Sequence, residues 1–80
     1  MSITVRYFAA AAEAAGVHSE SVDAPTLGEL RQALVGAHGA SFAGVLDRCS
    51  VLVDGANTAD PGAPLAEATL VDVLPPFAGG

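Results

Sequence analysis

The sequence predicts an α+β fold in which a four- to five-stranded sheet packs on one main helix, and three observations carry that expectation. Alternating apolar segments open and close the chain, a helix with a complete capping signal lies between them, and Gly- or Pro-containing turns separate the elements. With 80 residues the chain makes one domain around one core, because a chain this short buries only about 60% of the surface it exposes when unfolded. Hydrophobic residues make up 51% and charged residues 15%, the balance of a globular domain and not of a disordered segment.

From Ser2 to Phe8 the side chains alternate, with Ile3, Val5 and Tyr7 on one face and Thr4, Arg6 and Phe8 on the other, which predicts a first strand. Ala9 to Ala15 is alanine around Glu13 and stops at Gly16, a pattern that fits a short helix with a glycine C-cap. Val17 to Asp23 is polar and alternating, a second strand expected to pair with the first as an edge. Thr26 and Glu29 stand at capping-box spacing, so the main helix starts at Leu27. Its apolar stripe is read as Leu27, Leu30, Leu34 and Ala37, with Glu29, Arg31 and Gln32 facing water. Gly36 and Gly39 loosen its end. Ser41 to Leu46 is expected as a loop or short turn whose Phe42, Val45 and Leu46 fold back onto the core.

Cys49 to Val53 predicts a third strand, closed by Asp54-Gly55, a dipeptide suited to the positive φ angles of a tight hairpin. Asn57 to Leu65 is rich in turn residues, with Pro61-Gly62 and Pro64, and leaves room for one very short strand. Thr69 to Leu74 alternates again and is ended by Pro75-Pro76, since neither proline donates to a ladder. The first and last strands, rich in Val and Ile, are expected side by side at the sheet centre.

A formal charge of −6 with three arginines and no lysine argues against nucleic acid, because phosphate contacts need clustered cations. It favours a partner with a basic docking surface. Without lysine, the N-terminal amine is the only amine acceptor the chain offers for growth of a ubiquitin-type chain. The single Cys49 excludes an internal disulfide, and two distant histidines add no zinc pattern, so no metal is expected. The N-terminal MSITVRYF lacks a secretory pattern and no apolar run approaches the ~20 residues of a membrane span. The cytoplasm is therefore the expected compartment, with no membrane partner. Cys49 could carry sulfur as a persulfide, but reads as a small buried strand residue on the face of Val51. His18 and His38 read as solvated surface residues near Gly or Ser. No serine sits in a nucleophile motif, so any chemistry needs a catalytic set from elsewhere.

The ending PPFAGG is the informative segment. Paired prolines favour an extended exit from the last strand, and glycines, lacking Cβ, enter slots too narrow for other residues. At ~3.3–3.6 Å per residue, Pro75 to Gly80 reaches on the order of 20 Å beyond the sheet. Gly80 then carries an α-carboxylate, ionised at neutral pH because its ordinary pKa is about 3.3–3.7. Making that carboxylate an acyl donor requires a better leaving group, which adenylation supplies; displacement of AMP by a sulfur nucleophile leaves a thiocarboxylate. Alternation also puts Leu52, Leu70 and Leu74 opposite the core-facing Val51, Val53, Val71 and Val73. With Phe77 they are expected to form an apolar patch beside the tail.

Through VRYFAAAAEAAG, TLGELRQAL and VDVLPPFAGG, nearly the whole chain resembles the small subunit of molybdopterin synthase, a ubiquitin-like sulfur carrier. It departs from the common pattern at Ala12 and at Ala68-Thr69. The resemblance implies a ubiquitin-like β-grasp domain over residues 1–80, with 75–80 as a flexible tail. It implies that Gly80, with Gly79, is the reacting end, activated by a ubiquitin-activating-like adenylyltransferase that uses Mg-ATP while the domain itself binds no cofactor. A cysteine desulfurase or rhodanese is the implied sulfur donor. The implied recipient is the large synthase subunit, in a two-plus-two heterotetramer that builds the dithiolene from cyclic pyranopterin monophosphate. Leu52, Leu74, Pro75, Pro76, Phe77 and Ala78 are expected in that interface. A carrier for thiazole, tRNA thiolation or cysteine synthesis, a protein modifier joined through Gly80, and an inert interaction module remain the alternatives.

Overall fold

The computed structural model describes residues 2–66 and 69–76. Among these residues, five strands and three helices run in the order β1 (Ile3–Tyr7), α1 (Ala10–Ala15), β2 (Ser19–Val22), α2 (Leu27–His38), α3 (Ala40–Leu46), β3 (Ser50–Val53), β4 (Ala56–Asn57) and β5 (Leu70–Leu74). The sheet order is β2-β1-β5-β3-β4. The first and last strands are parallel neighbours at its centre, as expected, while every other pairing is antiparallel. This is the mixed sheet of a ubiquitin-like β-grasp.

Register follows from burial. Val5 pairs with Val71 and Tyr7 with Val73, while Val51 pairs with Val73, so the branched side chains share one face. Against that face pack Leu27, Leu30 and Leu34 of α2 and Phe42 and Leu46 of α3, all buried. Each such side chain contributes about 1.5–3 kcal/mol by leaving water.

The elements end where local chemistry dictates. Gly16 takes the left-handed conformation at φ 80° and donates its N–H to Ala12 O at 2.9 Å, capping α1. Asp54 and Gly55, at φ 48° and 86°, make the two-residue hairpin that pairs β3 with β4. At the start of α2, the Glu29 N–H donates to Thr26 Oγ1 at 3.3 Å, half of the expected capping box. The Glu29 carboxylate meets the Thr26 hydroxyl at 3.2 Å instead of a backbone N–H. The freed N–H groups of Leu27 and Gly28 donate to Ala63 O and Pro61 O at 2.9 and 2.8 Å, tying the turn-rich loop to the helix.

Three sequence expectations are corrected. Ser41 to Leu46 is helical: Gly39, at φ 92°, breaks the chain from α2 and α3 begins at Ala40. Its Phe42 and Leu46 sit one turn apart and face the core, as expected of these residues, so the short α3 adds to the packing of the main helix α2 on the sheet. Ala37 is exposed and outside the α2 stripe. His38, expected on the surface, has a side chain only 13% exposed, with its ring 5.1 Å from that of Phe42 and 6.0 Å from that of Tyr7. Its Nε2 meets Glu20 Oε2 at 2.5 Å, the same oxygen that accepts the Tyr7 hydroxyl at 2.5 Å.

Candidate functional site: the outer sheet face and the exit of the tail

Side chains at paired positions share a face, so the register that buries the valines turns Arg6, Asp72 and Leu52 outward in one row. Thr4 and Leu70 form the row on one side, Ser50 and Leu74 the row on the other. Leu52, Leu70 and Leu74 are all half-buried there, as alternation predicted. Phe8 joins them: its N–H donates to Val73 O at 3.2 Å, which extends β1 beside Leu74, and the residue is 39% exposed.

A fixed ion pair crosses this apolar surface. Arg6 Nε and Nη2 donate to the two carboxylate oxygens of Asp72 at 2.7 and 2.9 Å, the bidentate fork that only arginine forms. The guanidinium also stands 5.8 Å from the centre of the Phe8 ring. Hydrogen bonding to Asp72, opposed by desolvation and helped to a smaller extent by the Asp72 charge, holds Arg6 above its ordinary pKa. The pair presents leucines and an aromatic ring around a neutralised polar centre, a composition suited to a docking face.

The last described residues follow the end of this face. Leu74 ends β5, with half-buried Pro75 and exposed Pro76 next to it. Of the predicted site residues, the structure places Leu52 and Leu74 on the outer face, while Pro75 and Pro76 follow Leu74 and border α1 and α3. Phe77, Ala78, Gly79 and Gly80 lie outside the described residues. Sequence reasoning put Phe8 on this face without counting it in the patch, and it missed the Arg6–Asp72 pair. Both could have been found from the parallel pairing of β1 with β5.

The titratable groups elsewhere have structural surroundings. Burial pushes the Cys49 thiol up in pKa, with Arg31 pulling weakly the other way. Its Sγ donates to Val45 O at 3.1 Å just before β3, half-buried, a setting that disfavours a reactive thiolate. Burial works to raise Glu20, but hydrogen bonds from Tyr7 and His38 prevail and hold it below its ordinary value. Tyr7, desolvated and bonded to that carboxylate, is raised far above its ordinary range. An ionised carboxylate only accepts, so the His38 Nε2 donates here. No three His, Cys, Asp or Glu side chains gather among the described residues, and none of the described helices is long and apolar enough to cross a membrane.

Comparison with known proteins decides the family. The model of the ThiS family matches residues 5–80. The chain belongs to the ThiS family. Among solved structures, this ThiS-family chain is 33% identical to SAMP1 from Haloferax volcanii, with each chain covered in full and a TM-score of 0.85. It has the fold of a protein assigned as molybdopterin converting factor subunit 1 from Pyrococcus furiosus, at 23% identity and a TM-score of 0.84, with 96% of this chain and 99% of that one covered. It also has the fold found in the complex of subunits 1 and 2 of the molybdopterin-converting factor from Helicobacter pylori, at 24% identity, full coverage of both chains and a TM-score of 0.77. No curated protein matches the ThiS-family chain by sequence.

Proposed function

We propose that this ThiS-family chain is a sulfur carrier, the small subunit of a molybdopterin synthase, and that its reacting atom is the carboxyl carbon of Gly80. The observation that carries the reading is the exit of the chain from β5 through Pro75-Pro76 at the edge of the Phe8, Leu52, Leu74 face. A partner that grips this face receives the last residues at a fixed place. The fold shared with subunit 1 of molybdopterin-converting factors supports the assignment.

The chemistry needs two partners. In an adenylyltransferase a carboxylate oxygen of Gly80 attacks the α-phosphorus of Mg-ATP and pyrophosphate leaves. A bisulfide-level sulfur nucleophile then attacks the carboxyl carbon; the C–S bond forms and AMP departs with the electron pair of the broken C–O bond. A desulfurase or rhodanese supplies that sulfur, with a thiol reductant where it arrives as a persulfide. On the large subunit the thiocarboxylate sulfur attacks cyclic pyranopterin monophosphate, and hydrolysis returns the carboxylate. The domain contributes position and no acid or base of its own.

The 33% identity with SAMP1 over the full chain favours a second reading, a protein modifier in which a lysine amine, not sulfur, attacks the activated Gly80. One experiment separates the two. The purified chain is incubated with an adenylating partner, Mg-ATP and a sulfur donor, and its intact mass is recorded. Sulfur replacing one oxygen is expected; covalent attachment to other proteins would favour the modifier, and an unchanged mass would refute both. Deleting Gly80 is expected to abolish the mass change.

A further inference from the structure

Among the described residues, Arg6 is paired with Asp72 and Arg31 with Asp47, while Arg48 has no carboxylate partner. Arg48 lies in the exposed turn between α3 and β3 and lines an open depression of about 330 Å³. Ala10, Val45, Pro75 and Pro76 make its apolar walls, Gly44 leaves one side low, and among the described residues no acidic side chain lines it. That volume is at the bottom of the range for small-molecule pockets, about 300–1,000 Å³, and holds a large side chain.

We infer that this groove is a docking site for a segment of a partner protein that presents a carboxylate next to a large apolar side chain. The apolar side chain fills the space between Val45 and the prolines, and the carboxylate accepts from the Arg48 guanidinium. Two observations argue for such an occupant. The chain carries a net charge of −6, so its surface at large repels acids, and this is the one described place where an unpaired cation stands beside an apolar hollow. Two of the wall residues, Pro75 and Pro76, are also the first two residues of the tail, so a protein that grips the tail passes over the groove. Steering by the acidic body and registration by one local acid are then separate interactions with the same partner. The inference rests on the docking half of the proposed function and not on its sulfur chemistry.

The test uses the isotope-labelled full chain, followed by amide resonances during titration with the capped dipeptides acetyl-Phe-Asp-amide and acetyl-Phe-Asn-amide. Saturable shifts are expected at Ala10, Gly44, Val45 and Arg48, with the Asp peptide binding about fivefold more tightly, the scale of one exposed charge-assisted hydrogen bond. Arg48→Glu is expected to erase that preference. Gly44→Leu is expected to block both peptides while the rest of the spectrum stays folded, because a Cβ at Gly44 meets open space. Equal binding of the two peptides, an undiminished response in Arg48→Glu, or no shift at these four amides overturns the inference. So does a wild-type chain whose four amides already differ from those of a chain ended at Pro76, since the groove would then belong to the chain's own last residues. The mass experiment on Gly80 is independent of every one of these outcomes.

Discussion

Glu20 joins three elements through a single carboxylate, accepting from Tyr7 of β1 and His38 of α2 while itself standing on β2. Its side chain is 27% exposed, so water competes only in part for these bonds. Glu20→Gln keeps the shape and removes the charge; the expected cost is about 1–3 kcal/mol, the usual scale for weakening hydrogen bonds to a charged group, measured by urea unfolding at neutral pH. The pH dependence has a definite sign. The pKa of Glu20 is lower in the folded state than its ordinary 4.5, so its stabilisation is complete above about pH 4.5 and is lost as pH falls through the folded value. Tyr7 is raised above its ordinary 10.0, so its share is complete below about pH 10 and is lost at higher pH. Glu20→Gln is expected to flatten the acid limb of the stability curve; an acid limb unchanged from wild type would show that this carboxylate does not couple the three elements.

Two helix glycines predict opposite responses at the scale of the element. A Cβ at Gly28 would lie 3.0 Å from Pro61 O and 3.2 Å from Pro61 Cβ, where the loop is hydrogen-bonded to the first turn of α2. Gly28→Ala must push that loop away and is expected to destabilise by about 1–3 kcal/mol. Gly44 faces open space inside α3, so Gly44→Ala is expected to stabilise by about 0.5–1 kcal/mol through helix propensity. Parallel denaturation of the two variants checks both signs, and a neutral Gly28→Ala would mean that the 61–63 loop is not held by this contact. The same elements show what the sequence made legible. The strands, the Thr26 cap, the glycine stop at Gly16 and the Asp54-Gly55 hairpin are local patterns, and all appear in the structure. Helix α3 was hidden because Gly39 precedes and Gly44 interrupts a seven-residue segment whose helical signal is the Phe42–Leu46 pair. The bonds of Glu20 to Tyr7 and His38, and the groove at Arg48, join residues distant in sequence, which periodicity does not relate.

For the whole molecule, the make-up of the outer sheet face was readable from alternation alone, since Leu52, Leu70 and Leu74 had to oppose the buried valines. The Arg6–Asp72 pair was not, because it depends on the register of β1 against β5, which adjacency alone does not set. Leu74→Asp is expected to leave thermal unfolding close to wild type, as Leu74 is half-exposed on the outer face. It is expected to weaken binding to a large synthase subunit at least about tenfold, or roughly 1.4 kcal/mol. Calorimetric titration decides, and equal affinity would remove this face from the interface.

The central strand pair aligns Thr4 with Leu70, so the middle of the sheet cannot close until nearly all of the chain has been made. Joining such distant segments is slow and comes late in folding. During synthesis, a shortened product that ended before β5 would lack both the partner of β1 and the segment that follows Leu74. Under the proposed function, the body becomes a stable shape only with the strand that precedes the segment ending in Gly80, so a truncated chain would lack both the outer sheet face and the proposed reacting end.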